Sequence, residues 1–332
     1  MKMVRRSWLY GLTFSLAALL CAPAQATNFA LLLSGSSGDS VLEGCDSAEV
    51  GDITIEAVDD TPAGSEYVRK RPGKVKYQNI TLRMHRDLGG SKELQAWFQE
   101  AAKGKTERKS GSIIYLDREG NEVLRDAGAL LDQATAVYTF LDCYPARYSV
   151  AEEVLGDGSV RVLDVYELSM NGVHFTAGAN NSPQLRPRIV IKTPFQNGDI
   201  PNQDRSFNSW AGGEPALITD YLFRGTLFHE QSPAKKLTTN LVLKDGRPGS
   251  ALFYEWLNEY FAGKSAPLHD GLEGSKRTIS LTEIVNNRRP GRSYSFFEAW
   301  PCRFSFPTFS NSSTDTHIKE VIEFVCERVE RG

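Results

Sequence analysis

The sequence predicts a mostly β protein built as two tandem antiparallel β-barrel or sandwich domains, with one helix per copy. Three observations carry that expectation. The two halves of the 332-residue chain repeat one another in four matched blocks, and each half holds one clear amphipathic helix. The other patterned segments alternate or run apolar as strands do, between turn-forming residues. So few helices on so many strands leave a sheet-based core, with the helix covering an edge or an open end.

The chain opens with the pattern of an export signal. Lys2, Arg5 and Arg6 precede the apolar run from Trp8 to Cys21, and Ala24-Gln25-Ala26 places small residues around a cleavage site. Residues 1–26 therefore read as a signal peptide, with an apolar run too short to span a membrane. Leu20 is too bulky for a lipid anchor on Cys21. This address is periplasmic, cell-surface or extracellular, with no membrane span after cleavage. The whole chain carries 38 basic and 41 acidic residues, and loss of the three leader cations moves its net charge from −3 to −6. That balance argues against a nucleic-acid partner.

The first copy is expected over 27–177, with strands near 29–33, 53–58, 75–84, 111–117, 136–148 and 160–175. Its helix starts at Ser91 as N-cap, places Leu94, Trp97, Phe98 and Ala101 on one face, and stops before Gly104. Asp117 to Asn121 reads as a hairpin turn, and 178–185 as a linker. The second copy, 186–332, has strand candidates at 187–193, 216–223, 237–244, 276–284, 292–305 and 316–329, with a loop at 196–214. Its helix starts at Ser250, aligns Phe253, Trp256, Leu257 and Tyr260, and ends at Gly263. The segment 317–329 could be read as a helix, but its match to the first copy favours a strand.

The matched blocks keep their order. Trp97, Gly104 and Lys105 recur as Trp256, Gly263 and Lys264, 159 residues later. Asn79-Ile80-Thr81-Leu82-Arg83 recurs as Asn240-Leu241-Val242-Leu243-Lys244. Tyr144-Pro145-Ala146-Arg147-Tyr148-Ser149 recurs as Trp300-Pro301-Cys302-Arg303-Phe304-Ser305, and Asp164 to Leu168 as Glu320 to Phe324, both at an offset of 156. Four blocks at nearly constant spacing make the chain a tandem duplication.

The repeated unit resembles the contractile-phage tail tube protein family. The residues that carry the resemblance are Pro72, Gly73, Tyr77, Asn79, Thr81, Leu82 and Arg83, then the Trp97 helix and the strand Ser112 to Asp117. The Tyr144 to Ser149 block and the closing Val165-Tyr166-Glu167-Leu168 follow in the family's order. The resemblance implies a compact tube-type domain that assembles into hexameric rings and stacked tubes. With two copies per chain, it implies a trimer forming a pseudo-hexameric ring, with other surface or tube components as further partners. The export signal departs from the family, whose tubes assemble in the cytoplasm.

No catalytic constellation appears. His85, His174, His229, His269 and His317 are scattered without metal-ligand spacing, and no Gly-x-Ser-x-Gly elbow occurs. Paired acids such as Asp59-Asp60 and Glu152-Glu153 read as solvated pairs. The expectation is a protein that is no enzyme and takes no cofactor. The residues singled out are structural: Trp97, Phe98, Trp256, Leu257 and Trp300 as core, and Arg69, Lys70 and Arg71 as an assembly contact. Cys45, Cys143, Cys302 and Cys326 in an exported chain permit disulfides, or pack as buried thiols. Against the structural reading stands a monomeric periplasmic or extracellular binding module on the same sandwich.

Overall fold

The computed structural model describes residues 29–35, 38–105, 107–116, 127–178, 189–192, 205–207, 209–218, 220–223, 226–229, 235–246, 251–262, 276–285, 289–311 and 320–332. The signal peptide, the Asp117–Asn121 turn, the linker beyond Gly178, and Ser250, Gly263 and Lys264 lie outside them.

The first copy runs β1 (Phe29–Gly35), β2 (Gly38–Val41), β3 (Cys45–Val50), β4 (Ile53–Asp59), β5 (Lys70–Tyr77) and β6 (Ile80–His85). It continues with α1 (Gly89–Ala102), β7 (Lys109–Tyr115), α2 (Ala127–Asp132), β8 (Ala136–Val154), β9 (Val160–Ser169) and β10 (Gly172–Ala177). The second copy begins with β11 (Ile189–Lys192), β12 (Arg205–Phe207), β13 (Ser209–Gly212), β14 (Pro215–Ile218), β15 (Asp220–Phe223), β16 (Thr226–His229), β17 (Lys235–Thr238) and β18 (Leu241–Gly246). It ends with α3 (Ala251–Phe261), β19 (Arg277–Val285), β20 (Arg289–Ser305), β21 (Phe309–Ser310), β22 (Glu320–Val325) and β23 (Arg328–Arg331).

The duplication is written in the topology. The first sheet is ordered β2-β1-β7-β8-β9-β6-β3 and the second β12-β11-β19-β20-β22-β18-β13, so the two match strand by strand. β10 pairs β8 as β23 pairs β20. The irregularities match too. Asp142 and Glu298 both take a φ of 53°, a left-handed conformation, at a bulge where β8 meets β7 and β20 meets β19. A second bulge follows Pro145 in one copy and Pro301 in the other. The repeated Pro-x-Arg block thus marks a bulged strand, where one extra residue bends the ladder. Gly51 N–H donates to the Asn79 carbonyl at 3.1 Å, and Gly213 N–H donates to the Asn240 carbonyl at 3.1 Å.

Each sheet is antiparallel and open rather than a closed barrel, so the sandwich form of the expectation holds and the barrel form does not. Other expectations are corrected in detail. The segment 75–84 divides at Gln78-Asn79, and 160–175 divides after Ser169, where turns break the ladder. The expected loop at 196–214 contains β12 and β13. Ser91 does not cap α1: Leu88 holds that position without a side-chain bond, and Ser91 is buried in the first turn. Its hydroxyl donates instead to Asp164 Oδ2 at 2.7 Å. The first copy also adds the short helix α2.

One apolar core runs through both copies. Tyr138 and Phe175 of the first copy pack directly with Tyr254, Phe304, Phe306 and Phe309 of the second. Fully buried aromatic side chains of this size each contribute about 2–3 kcal/mol through removal of apolar surface from water.

Candidate assembly interface

The candidate functional residues of this chain are those that join its sheets. Among the described residues, no group of three or more His, Cys, Asp or Glu side chains could hold a metal ion. The junction between the two copies joins polar and apolar groups from both. It is made by strand exchange.

The β4–β5 hairpin belongs to the first copy by sequence but adds to the second copy's β20, with Thr54 opposite Arg303 and Ile53 opposite Phe304. In return β21 of the second copy adds to β3, with Ala48 opposite Phe309 and Ser47 opposite Ser310. Both contacts share one antiparallel register: residues 303–310 run beside 47–54. Backbone ladders formed this way satisfy edge donors and acceptors that would otherwise face water.

Side chains fix that register. Arg303 Nε donates to Asp52 Oδ2 at 2.9 Å. The side chain of Asn258 on α3 clamps Phe175 on β10, accepting from its N–H at 2.7 Å and donating to its carbonyl at 2.8 Å. Asn311 donates to the Cys45 carbonyl at 2.8 Å. Deepest in the junction, the hydroxyls of Tyr138 and Tyr254 both donate to Glu320 Oε1, at 2.6 and 2.7 Å. Glu320 is fully buried, and these two bonds replace the water that its Oε1 would otherwise hold. The Tyr77 hydroxyl donates to the Phe261 carbonyl at 3.1 Å, and burial pushes that phenol up to about 12.

The basic cluster singled out in the sequence divides. Arg69 reaches the second copy, its Nε 3.4 Å from Glu327 Oε2. Next to it the first copy's hairpin tip lies on β17: Val68 N–H donates to the Lys236 carbonyl at 2.9 Å, and Lys236 pairs with Glu66 and sits over the Tyr67 ring. Lys70 is half-buried in β5, and Arg71 is exposed beside it.

Four of the five residues singled out as core are buried. Trp256, Leu257 and Trp300 are fully buried, with Trp256 stacked on Phe324 at 5.3 Å between ring centroids. Trp97 is 5% exposed, and its indole N–H donates to the Glu107 carbonyl at 3.0 Å. Phe98 is the exception: it is half-buried at the surface against Tyr148. The disulfide alternative is corrected. Cys45, Cys143, Cys302 and Cys326 are free thiols, and each is buried as a small apolar group. Burial pushes all four thiols up, Cys143 and Cys326 to about 12, so none is poised as a thiolate.

The sequence could not show Tyr138, Asp52, Asn258 and Glu320 as junction residues. They belong to one copy each and look like ordinary strand or helix residues until the partner sheet is in place. The repeat itself held the one available signal, since Arg147 and Arg303 recur at matched positions.

The geometry defines a class: a duplicated antiparallel sheet domain that joins its neighbour edge to edge. The chain belongs to the T4-like virus tail tube protein gp19 family, whose model matches residues 25–172 and 221–330. It is a family of structural tube proteins, and the chain is a phage-tail-type structural protein rather than an enzyme. No curated protein sequence matches the chain. Among solved structures, a chain of the anti-feeding prophage baseplate is 13% identical, with 48% of this chain and 97% of that chain covered and a TM-score of 0.33. A chain of the PVC extracellular contractile injection system sheath/tube terminator is 19% identical over 46% of this chain and 99% of that one, with a TM-score of 0.30. Hcp1 from Flavobacterium johnsoniae is 17% identical over 45% and 96%, with a TM-score of 0.24.

Proposed function

We propose that this is an exported tube-type protein that self-associates, three chains making a pseudo-hexameric ring, and that such rings build or cap a tube. The observation that carries the reading is the junction itself. The repeated domain meets its sibling by exchanging strand edges in one register, which is a way of joining that another copy can continue. The leader pattern of residues 1–26 supports export.

Mass photometry and negative-stain microscopy of the purified protein test the assembly. Trimers, rings or tubes are expected. A strictly monomeric profile at high concentration, with saturable binding of a glycan or protein, would replace this reading with the binding module. Fractionation of cells expressing the chain with and without residues 1–26 tests export, and equal distribution of the two forms would end that part.

A further inference from the structure

The internal junction uses one edge of each copy, and among the described residues the equivalent edge of the other copy is open. Residues 47–54 of the first copy are covered by the second, whereas their counterparts in β13 and β14 pair only with β18 and β17 among the described residues. Residues 303–310 of the second copy cover the first. Their counterparts in β8 beyond Cys143 pair only with β9 among the described residues. Val150 and Val154 on that stretch are 47% and 72% exposed.

We propose that these two open edges are each other's partners in neighbouring copies of this chain, joined in the register that the internal junction already displays. The inference rests on the self-association reading and names the surface through which it acts. The ladders fix the correspondence. Gly51 and Gly213 make the same bond, so Asp52, Ile53 and Thr54 correspond to Glu214, Pro215 and Ala216. The matched bulges make Arg303 and Phe304 correspond to Arg147 and Tyr148.

Three contacts follow, and their chemistry is complementary. The Arg303–Asp52 ion pair becomes Arg147 of one chain with Glu214 of the next, again a cation facing a carboxylate. Both side chains stand exposed. Arg147 lies opposite Ala216 and Tyr148 opposite Pro215. Pro215 has no N–H, so that rung carries at most one of the two bonds available to Ile53 and Phe304. The Asn258 clamp on Phe175 becomes Gln99 on the backbone of Arg331, since Trp97 matches Trp256 and Tyr138 matches Tyr294. Gln99 is again a side-chain amide, and it and Arg331 are both exposed. The half-buried Phe98 lies one residue before Gln99 and corresponds to the fully buried Leu257, so the same docking would cover it.

The interface is heterologous, so it closes into a ring or runs on as a filament. Arg147→Glu and Glu214→Arg, alone and combined, test it by mass photometry, with circular dichroism confirming the fold. Each single swap should weaken self-association about tenfold or more, and the double swap should restore it. In the full chain carrying Gln99→Cys and Arg331→Cys, oxidation should give covalent oligomers that end at the trimer if the ring closes. Oligomers that form normally in all four variants without this cross-link would overturn the edge assignment while leaving self-association standing. A wild-type protein that never associates overturns both.

Discussion

Tyr138 and Tyr294 hold the same place in the two copies, yet their surroundings differ. Tyr138 is fully buried, touches four aromatic rings and donates to Glu320 across the junction. Tyr294 is half-buried beside Trp210 and Phe296. Phe98 and Leu257 differ in the same sense. In each pair the sheet or helix around the residue is equivalent. Tyr138 packs on the sibling copy, whereas the rings beside Tyr294 belong to its own copy. Burial here is decided by the presence of a neighbour, which gives the comparison energetic content.

The largest effect separates the two tryptophans. Trp256 is fully buried, with Arg277 over one side of its ring and Phe324 stacked on it, whereas Trp97 keeps 5% exposure and lies under Lys109. Truncating a core tryptophan costs about 3–5 kcal/mol through lost transfer energy and the cavity left behind. Trp256→Ala should lie at the upper end and Trp97→Ala at the lower, measured by urea unfolding. Because one core spans both copies, each variant should unfold in a single transition. Two separate transitions would show that the copies are energetically independent.

A smaller effect separates the tyrosines. Tyr138→Phe keeps the ring and removes one of the two donors on Glu320, so it should cost about 1.5–3 kcal/mol. Tyr294→Phe should stay within about 0.5 kcal/mol, as surface changes usually do. Equal losses would mean that Tyr294 has a buried partner of its own and that the contrast is false.

What the sequence made legible follows from which forces are local. Helix periodicity revealed α1 and α3 because one buried face repeats along a few turns, with Leu94, Trp97 and Ala101 falling on it. The long apolar strands showed themselves for the same reason. β3 stayed hidden because its inward residues, Cys45, Ala48 and Val50, are small and its outward ones polar. Ser91 has the pattern of a cap because it precedes an apolar periodic run, while its true partner Asp164 lies 73 residues away. The strand exchange was beyond local reading altogether. Nothing in Ile53 or Thr54 distinguishes a strand that pairs within its own sheet from one that crosses to the next.

The smallest effect concerns a feature the copies should share whatever their neighbours. Asp142 and Glu298 are exposed, non-glycine residues with a φ of 53°, each at the bulge that bends its long strand. An L-residue held there costs about 1–2 kcal/mol, and a β-branched residue bears it least easily. Asp142→Val and Glu298→Val should therefore each lower stability by about 1–2 kcal/mol. The two losses should agree to within about 0.5 kcal/mol, the scatter usual for independent surface sites. Agreement would fix the bulge as a property of the repeated domain. A clear excess at either site would mean that its bulge also bears load from the junction, and equivalence of the two backbones would no longer license carrying the register of one copy over to the other.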